Sequence, residues 1–96
     1  MASTRPLFEA YPRLADALPW RQLADCPTPV DALQPIGENA WIKRDDISHT
    51  IYGGNKIRKL EFILAEVIQR GAGHIITFGA TGTNHGVATA MLCQQL

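Results

Sequence analysis

All six prolines of this 96-residue chain fall at positions 6, 12, 19, 27, 29 and 35, and none follows. A proline has no backbone N–H and a fixed φ, so it interrupts helices and sheet ladders alike. Residues 1–39 are therefore expected to form an extended, turn-rich lead-in with a short helix over Tyr11–Leu18. Regular structure has free run only across residues 40–96.

In that second part "AWIKRDDI" (Ala40–Ile47) reads as a short strand entering a polar turn, and "SHTIYGGN" as a loop. From Lys56 to Arg70 the apolar residues Ile57, Leu60, Ile63, Leu64, Val67 and Ile68 recur at three- and four-residue steps, which predicts an amphipathic helix. Asn55 is the expected N-cap, Glu66 and Arg70 an i,i+4 pair, and Gly71 the stop. "HIITFG" (His74–Gly79) reads as a strand buried on both faces, and "ATGTN" as a turn. Thr83 or Asn84 is expected to cap a final helix running to Leu96.

The order strand, helix, strand, helix is the rhythm of an α/β fold with a parallel sheet. Two strands do not complete such a sheet, and the last helix reaches Leu96 without a capping glycine. The expectation is one incomplete domain over residues 1–96, with Trp41 and Phe78 in its core.

Nine basic residues balance nine acidic ones, and neither sign forms a block. That argues against a nucleic-acid or membrane partner held by charge. Cys26 and Cys93 lie outside any metal-ligand spacing, as do His49 and His74, so neither a zinc site nor a disulfide framework is expected. The start "MASTRPLFEAYPRL" has no apolar core of the kind a secretory signal needs, and a cytoplasmic protein is expected. Asp45 and Asp46 are adjacent, which favours turn-forming or loop-anchoring roles over a shared proton.

Chemistry concentrates at two helix starts. Lys56 follows "YGGN" and has Arg58 and Lys59 within one turn. A helix N-terminus and nearby cations both disfavour an ammonium, and the neutral amine is the form that attacks a carbonyl. A solvated lysine is the plain alternative. At the second start, "TFGATGTNHG", free backbone N–H groups and the helix dipole make an anion site. Its glycines, at 79, 82 and 86, match neither a GxGxxG loop nor a P-loop, so a small carboxylate fits as well as a phosphate. An ordinary strand-to-helix connection is the alternative here, as an exposed imidazole is for His85.

Together, "KRDDISHTIYGGNKIRKLEFILAE" and "ITFGATGTNHGVATA" are where the chain resembles the D-cysteine desulfhydrase and 1-aminocyclopropane-1-carboxylate deaminase family. The likeness covers roughly residues 27–96. It implies a pyridoxal 5′-phosphate enzyme of the tryptophan synthase β-like fold, fold type II. It further implies that Lys56 carries the cofactor covalently and shuttles the substrate α-proton. Asn84 would hydrogen-bond the cofactor's 3′-oxygen, and Thr81, Gly82, Thr83, Asn84 and His85 would grip the substrate carboxylate. The family usually has serine where this chain has Thr83, a position close to proton transfer; the asparagine–histidine order leans toward the desulfhydrase-like members. The implied reaction releases ammonia and a keto acid from a small amino acid, with sulfide when the substrate is D-cysteine. A homo-oligomer is expected of the complete enzyme. The family's phosphate loop and pyridine-nitrogen partner lie in its C-terminal portion and have no counterpart here, so the chain is expected to be an N-terminal piece. A non-catalytic remnant and a small-anion or nucleotide-binding module are the competing readings.

Overall fold

The computed structural model describes residues 5–96. The lead-in is less extended than its prolines suggest. Helix α1 spans Pro6–Ala10, with proline at its first turn, where a missing N–H costs nothing. Helix α2 spans Leu14–Ala17, inside the segment expected to be helical, with Pro12 and Arg13 in the turn before it.

Strands β1 (Val30–Ala32) and β2 (Trp41–Lys43) pair antiparallel, Asp31 opposite Ile42. The sheet among the described residues is thus an antiparallel hairpin, and the expected parallel arrangement of the 40–47 and 74–79 segments is not formed in it. The connection of residues 33–40 closes as a hairpin loop, with Leu33 N–H donating to the Ala40 carbonyl at 2.8 Å; a parallel pair needs a crossover of about a dozen residues or more. Trp41, expected in the core, is 64% exposed, because both strands leave their faces uncovered. The chain then enters a 3₁₀ turn at Asp45–Ile47.

Helix α3 spans Lys56–Gln69 and helix α4 Asn84–Gln95, both within a residue of the expected bounds. Asn55 stands at the N-cap position of α3, but its side chain makes no capping bond, contrary to the expectation. Gly71 behaves as expected. It has φ +68°, its N–H bonds the Ile68 carbonyl at 3.0 Å, and Ala72 N–H bonds the Val67 carbonyl at 3.2 Å. That pair of bonds is a Schellman stop. Glu66 and Arg70 form the expected ion pair at 2.6 Å.

His74–Gly79 is not a strand in this structure, and it is exposed throughout. Phe78, expected in the core, is 89% exposed, and Ile76 81%. The physical reason is pairing: a strand exists only against a neighbour, and the two strands among the described residues pair with each other.

The core is small. Ile57, Leu60 and Leu64 of α3 meet Ala88 and Leu92 of α4, with Ala24 and Tyr52 closing the cluster. Each fully buried Ile or Leu contributes roughly 1.5–3 kcal/mol. Ile63 and Ile68, from the same apolar pattern, remain half-exposed, so only part of α3's apolar surface is covered. The radius of gyration is 15.6 Å, against about 12.5 Å for a compact domain of this length.

The lead-in is tied to α3 through Glu61, which is buried to 2% exposure. Its carboxylate accepts hydrogen bonds from Leu23 N–H at 2.8 Å, Ala24 N–H at 3.0 Å and the Trp20 indole at 3.4 Å, and pairs with Arg5. Arg5 also lies over the Trp20 ring, and Phe8 packs edge-on against Trp20 and Phe62.

Candidate functional site

Lys56 is the first residue of α3 and half-buried, next in the chain to the fully buried Ile57. The approach to it is shaped by two glycines. A Cβ at Gly53 would lie 2.0 Å from the Asp46 carbonyl oxygen, a distance no side chain tolerates. At Gly54, φ is +155° and a Cβ would lie 2.6 Å from the Tyr52 hydroxyl. Ser48, wholly buried, donates its hydroxyl to the Gly54 carbonyl at 2.7 Å. His49 Nδ1 accepts from Ile51 N–H at 3.1 Å and Tyr52 N–H at 3.4 Å, a loop-shaping role.

The cations beside Lys56 are not equivalent. Lys59 is exposed, whereas the Arg58 guanidinium is committed to Asp45. Nε reaches Oδ2 at 2.9 Å and Nη2 reaches Oδ1 at 2.7 Å, with Nη2 also donating to Thr28 Oγ1 at 3.1 Å. Thr28 in turn donates to Asp45 Oδ1 at 2.8 Å. The bidentate Arg58 holds the Asp45 carboxyl down at about 2, and Asp45 pushes the Arg58 guanidinium up. Arg58 is thus a neutralised neighbour of Lys56 rather than the free cation its position in the sequence suggested. Asp46 turns the other way, to Arg44, which also pairs with Asp31. The two aspartates anchor turns separately and share no proton. Among the described residues Lys56 itself has no ion pair and no side-chain hydrogen bond.

The second helix start is built around Thr83, whose hydroxyl caps α4 by accepting from Gly86 N–H at 3.4 Å. Thr83 N–H bonds the Ala80 carbonyl at 3.1 Å, closing a turn whose third residue, Gly82, has φ +82°. The Thr83 side chain fills the notch between two further glycines. A Cβ at Gly79 would come within 2.8 Å of its Cβ and Oγ1, and one at Gly86 within 2.8 Å of its Cγ2. The spacing 79, 82, 86 therefore has a physical account: one glycine for a turn, two for the walls of a threonine slot. The Asn84 and His85 N–H groups, in the first turn of α4, have no acceptor among the described residues. His85 Nδ1 is buried without a partner.

Thr81, Gly82, Thr83, Asn84 and His85 are thus gathered in one turn, and Lys56 stands at the start of the helix packed against α4. No hydrogen bond or ion pair joins Lys56 to that turn among the described residues. An open groove of about 440 Å³ between the two helices is bordered by Leu64, Ile68, Ile75, Thr89 and Cys93, and includes neither Lys56 nor Asn84. A shallow hollow of about 500 Å³ beside Lys43, Asp46 and Gly54 ends at Asn55. Among the described residues no cluster of His, Cys, Asp and Glu could hold a metal, and no helix is long and apolar enough to cross a membrane.

Sequence reasoning missed Glu61 and Ser48. Glu61 carried a signal: it lies four residues after Ile57 and three before Leu64, an acid on the buried face of a helix. Ser48 carried none, because its role depends on where the glycine loop returns.

The structure thus offers an uncommitted lysine at one helix start, and free amides with tight glycines at another. The particular family follows from comparison: the pyridoxal-phosphate dependent enzymes match residues 22–96, and the chain belongs to that family. It is 37% identical over 94 residues to a Pyrococcus abyssi protein named "Putative 1-aminocyclopropane-1-carboxylate deaminase", covering 94% of this chain and 26% of the relative. It is 40% identical over 90 residues to a Salmonella paratyphi B protein named "D-cysteine desulfhydrase", covering 90% of this chain and 25% of that relative. The chain spans about a quarter of the length of these relatives. No solved structure matches it significantly.

Proposed function

We propose that this chain is the lysine-bearing portion of a pyridoxal-phosphate dependent lyase or deaminase acting on a small amino acid. The observation that carries this reading is Lys56, held at the start of α3 by a double-glycine loop with its amine uncommitted. The Lys56 amine would hold the cofactor through its aldehyde carbon and, as a free amine, would move the substrate's α-proton. When bound, the cofactor withdraws electrons from the substrate's α-carbon. The Asn84 side chain would donate to the cofactor's ring oxygen. The Asn84 and His85 amides orient the substrate carboxylate at the positive end of α4, and the Thr83 hydroxyl stands beside them.

The names of the relatives support D-cysteine or 1-aminocyclopropane-1-carboxylate as substrates, with a keto acid and ammonia as products. On this reading His74–Gly79 is a strand of the parallel sheet of the complete enzyme, with neighbours on both sides, and that enzyme is a cytoplasmic homo-oligomer. The exposure of Ile76 and Phe78 is what a strand awaiting those neighbours presents.

Substitution in the complete enzyme tests the assignment. Asn84→Ala should perturb the absorbance of the bound cofactor. Thr83→Ala should leave the spectrum unchanged and slow turnover, while Thr83→Ser is tolerated. Equal, small effects from all three contradict the site.

A further inference from the structure

Three contacts meet the chain on either side of Lys56, and all three come from the turn at residues 45–48. Before the lysine, Ser48 Oγ holds the Gly54 carbonyl at 2.7 Å, and the Asp46 carbonyl lies so close to Gly53 that a Cβ there would be 2.0 Å away. After it, Asp45 takes both ends of the Arg58 guanidinium, at 2.9 Å and 2.7 Å. The turn is itself fastened from behind. Asp25 N–H donates to the Ser48 carbonyl at 2.7 Å, and Thr28 Oγ1 to Asp45 at 2.8 Å. Since α3 has no side-chain cap, these are the bonds that fix where its first turn begins.

We infer that Asp45 and Ser48 are positioning residues for the reaction of Lys56, clamping the backbone two residues before it and the side chain two residues after it. The inference rests on the reading of Lys56 as the cofactor lysine. Ser48 touches neither the lysine nor the free amides of α4; it acts through Gly54. Asp45 acts through Arg58: it anchors the helix start, and it neutralises one of the two cations in the first turn after Lys56.

The test is hydrogen exchange followed by mass spectrometry on the chain, with Asp45→Asn, Ser48→Ala and, as a neighbour that bonds only Arg44, Asp46→Asn. Asp45→Asn and Ser48→Ala should each speed exchange of the Gly54–Arg58 amides about ten-fold, while amides of residues 60–69 keep their protection. Asp46→Asn should change neither. In parallel, pyridoxal phosphate and borohydride label the amines, and the Lys56-to-Lys59 ratio is read by peptide mapping. That ratio should fall in the first two variants and hold in the third. Unchanged exchange at Gly54–Arg58, or a rise spread evenly along α3, overturns the clamp. Absence of Lys56 label in the unaltered chain contradicts the cofactor reading instead, and the exchange measurement still decides the clamp.

Discussion

The Glu61 carboxylate accepts a hydrogen bond from Ala24 N–H at 3.0 Å, joining residues 37 apart in sequence where both are buried. With Leu23 N–H, Trp20 and Arg5 on the same carboxylate, this one side chain fastens the lead-in to α3. Replacing it leaves Arg5 without its ion pair and the Leu23 and Ala24 amides without an acceptor. Removing one member of such a network costs roughly 3–5 kcal/mol. Glu61→Ala should therefore unfold the chain or strip residues 5–24 from α3, read by urea titration and limited proteolysis. An unchanged urea midpoint contradicts the anchor.

The Asp45–Arg58 pair predicts a dependence on pH. The folded carboxyl is held at about 2, below its ordinary value of 3.8, so its contribution is fully present above that ordinary value. It is lost as pH falls through about 2. The Arg58 side chain is 40% exposed, and screening reduces the effect to about 1 kcal/mol. Stability measured between pH 5 and 2 should decline, and Asp45→Asn should remove this part of the decline.

The threonine slot predicts a sign reversal. Gly86 lies in a helix, where alanine is intrinsically better by roughly 0.8–1 kcal/mol, yet its Cβ would lie 2.8 Å from Thr83 Cγ2. Gly86→Ala should destabilise the chain, by about 1–3 kcal/mol if the overlap behaves as core overpacking does. In a Thr83→Ser background the methyl is gone, and the same change should stabilise. Gly79→Ala should not be rescued, because its Cβ also meets Thr83 Cβ and Oγ1 at 2.8 Å. Thermal midpoints of the double-mutant set decide it.

Much of this was legible beforehand. The period of Ile57, Leu60 and Leu64 placed α3, and the double glycine marked its entry, because both signals are local. The segment His74–Gly79 was misplaced because burial of a strand depends on what lies beside it, and β-rich residues such as Ile75, Ile76 and Phe78 carry no record of that. The antiparallel pairing of Val30 with Lys43 was hidden for a related reason. Its proline-flanked first strand looked like lead-in. Lys56 and the Thr83 turn stand out in the sequence as candidates, whereas the sorting of Asp45 to Arg58 and Asp46 to Arg44 depends on how the chain folds back.

The exposed side chains of Ile76 and Phe78 predict association of the isolated chain. Sedimentation should show species larger than a monomer at tens of micromolar, and Ile76→Lys with Phe78→Ser should shift the population toward monomer. Spanning about a quarter of the length of its relatives, the same chain should give no turnover of D-cysteine or 1-aminocyclopropane-1-carboxylate. A stable monomer with cofactor-dependent formation of keto acid contradicts both expectations.

Lys56 is the proposed cofactor lysine. The most direct measurement is borohydride reduction of the protein with pyridoxal phosphate, in this chain and in the complete enzyme, followed by peptide mapping. A pyridoxyl group is expected on Lys56, with labelling lost in Lys56→Ala. Label confined to Lys43 or Lys59, or equal on all three lysines, contradicts it.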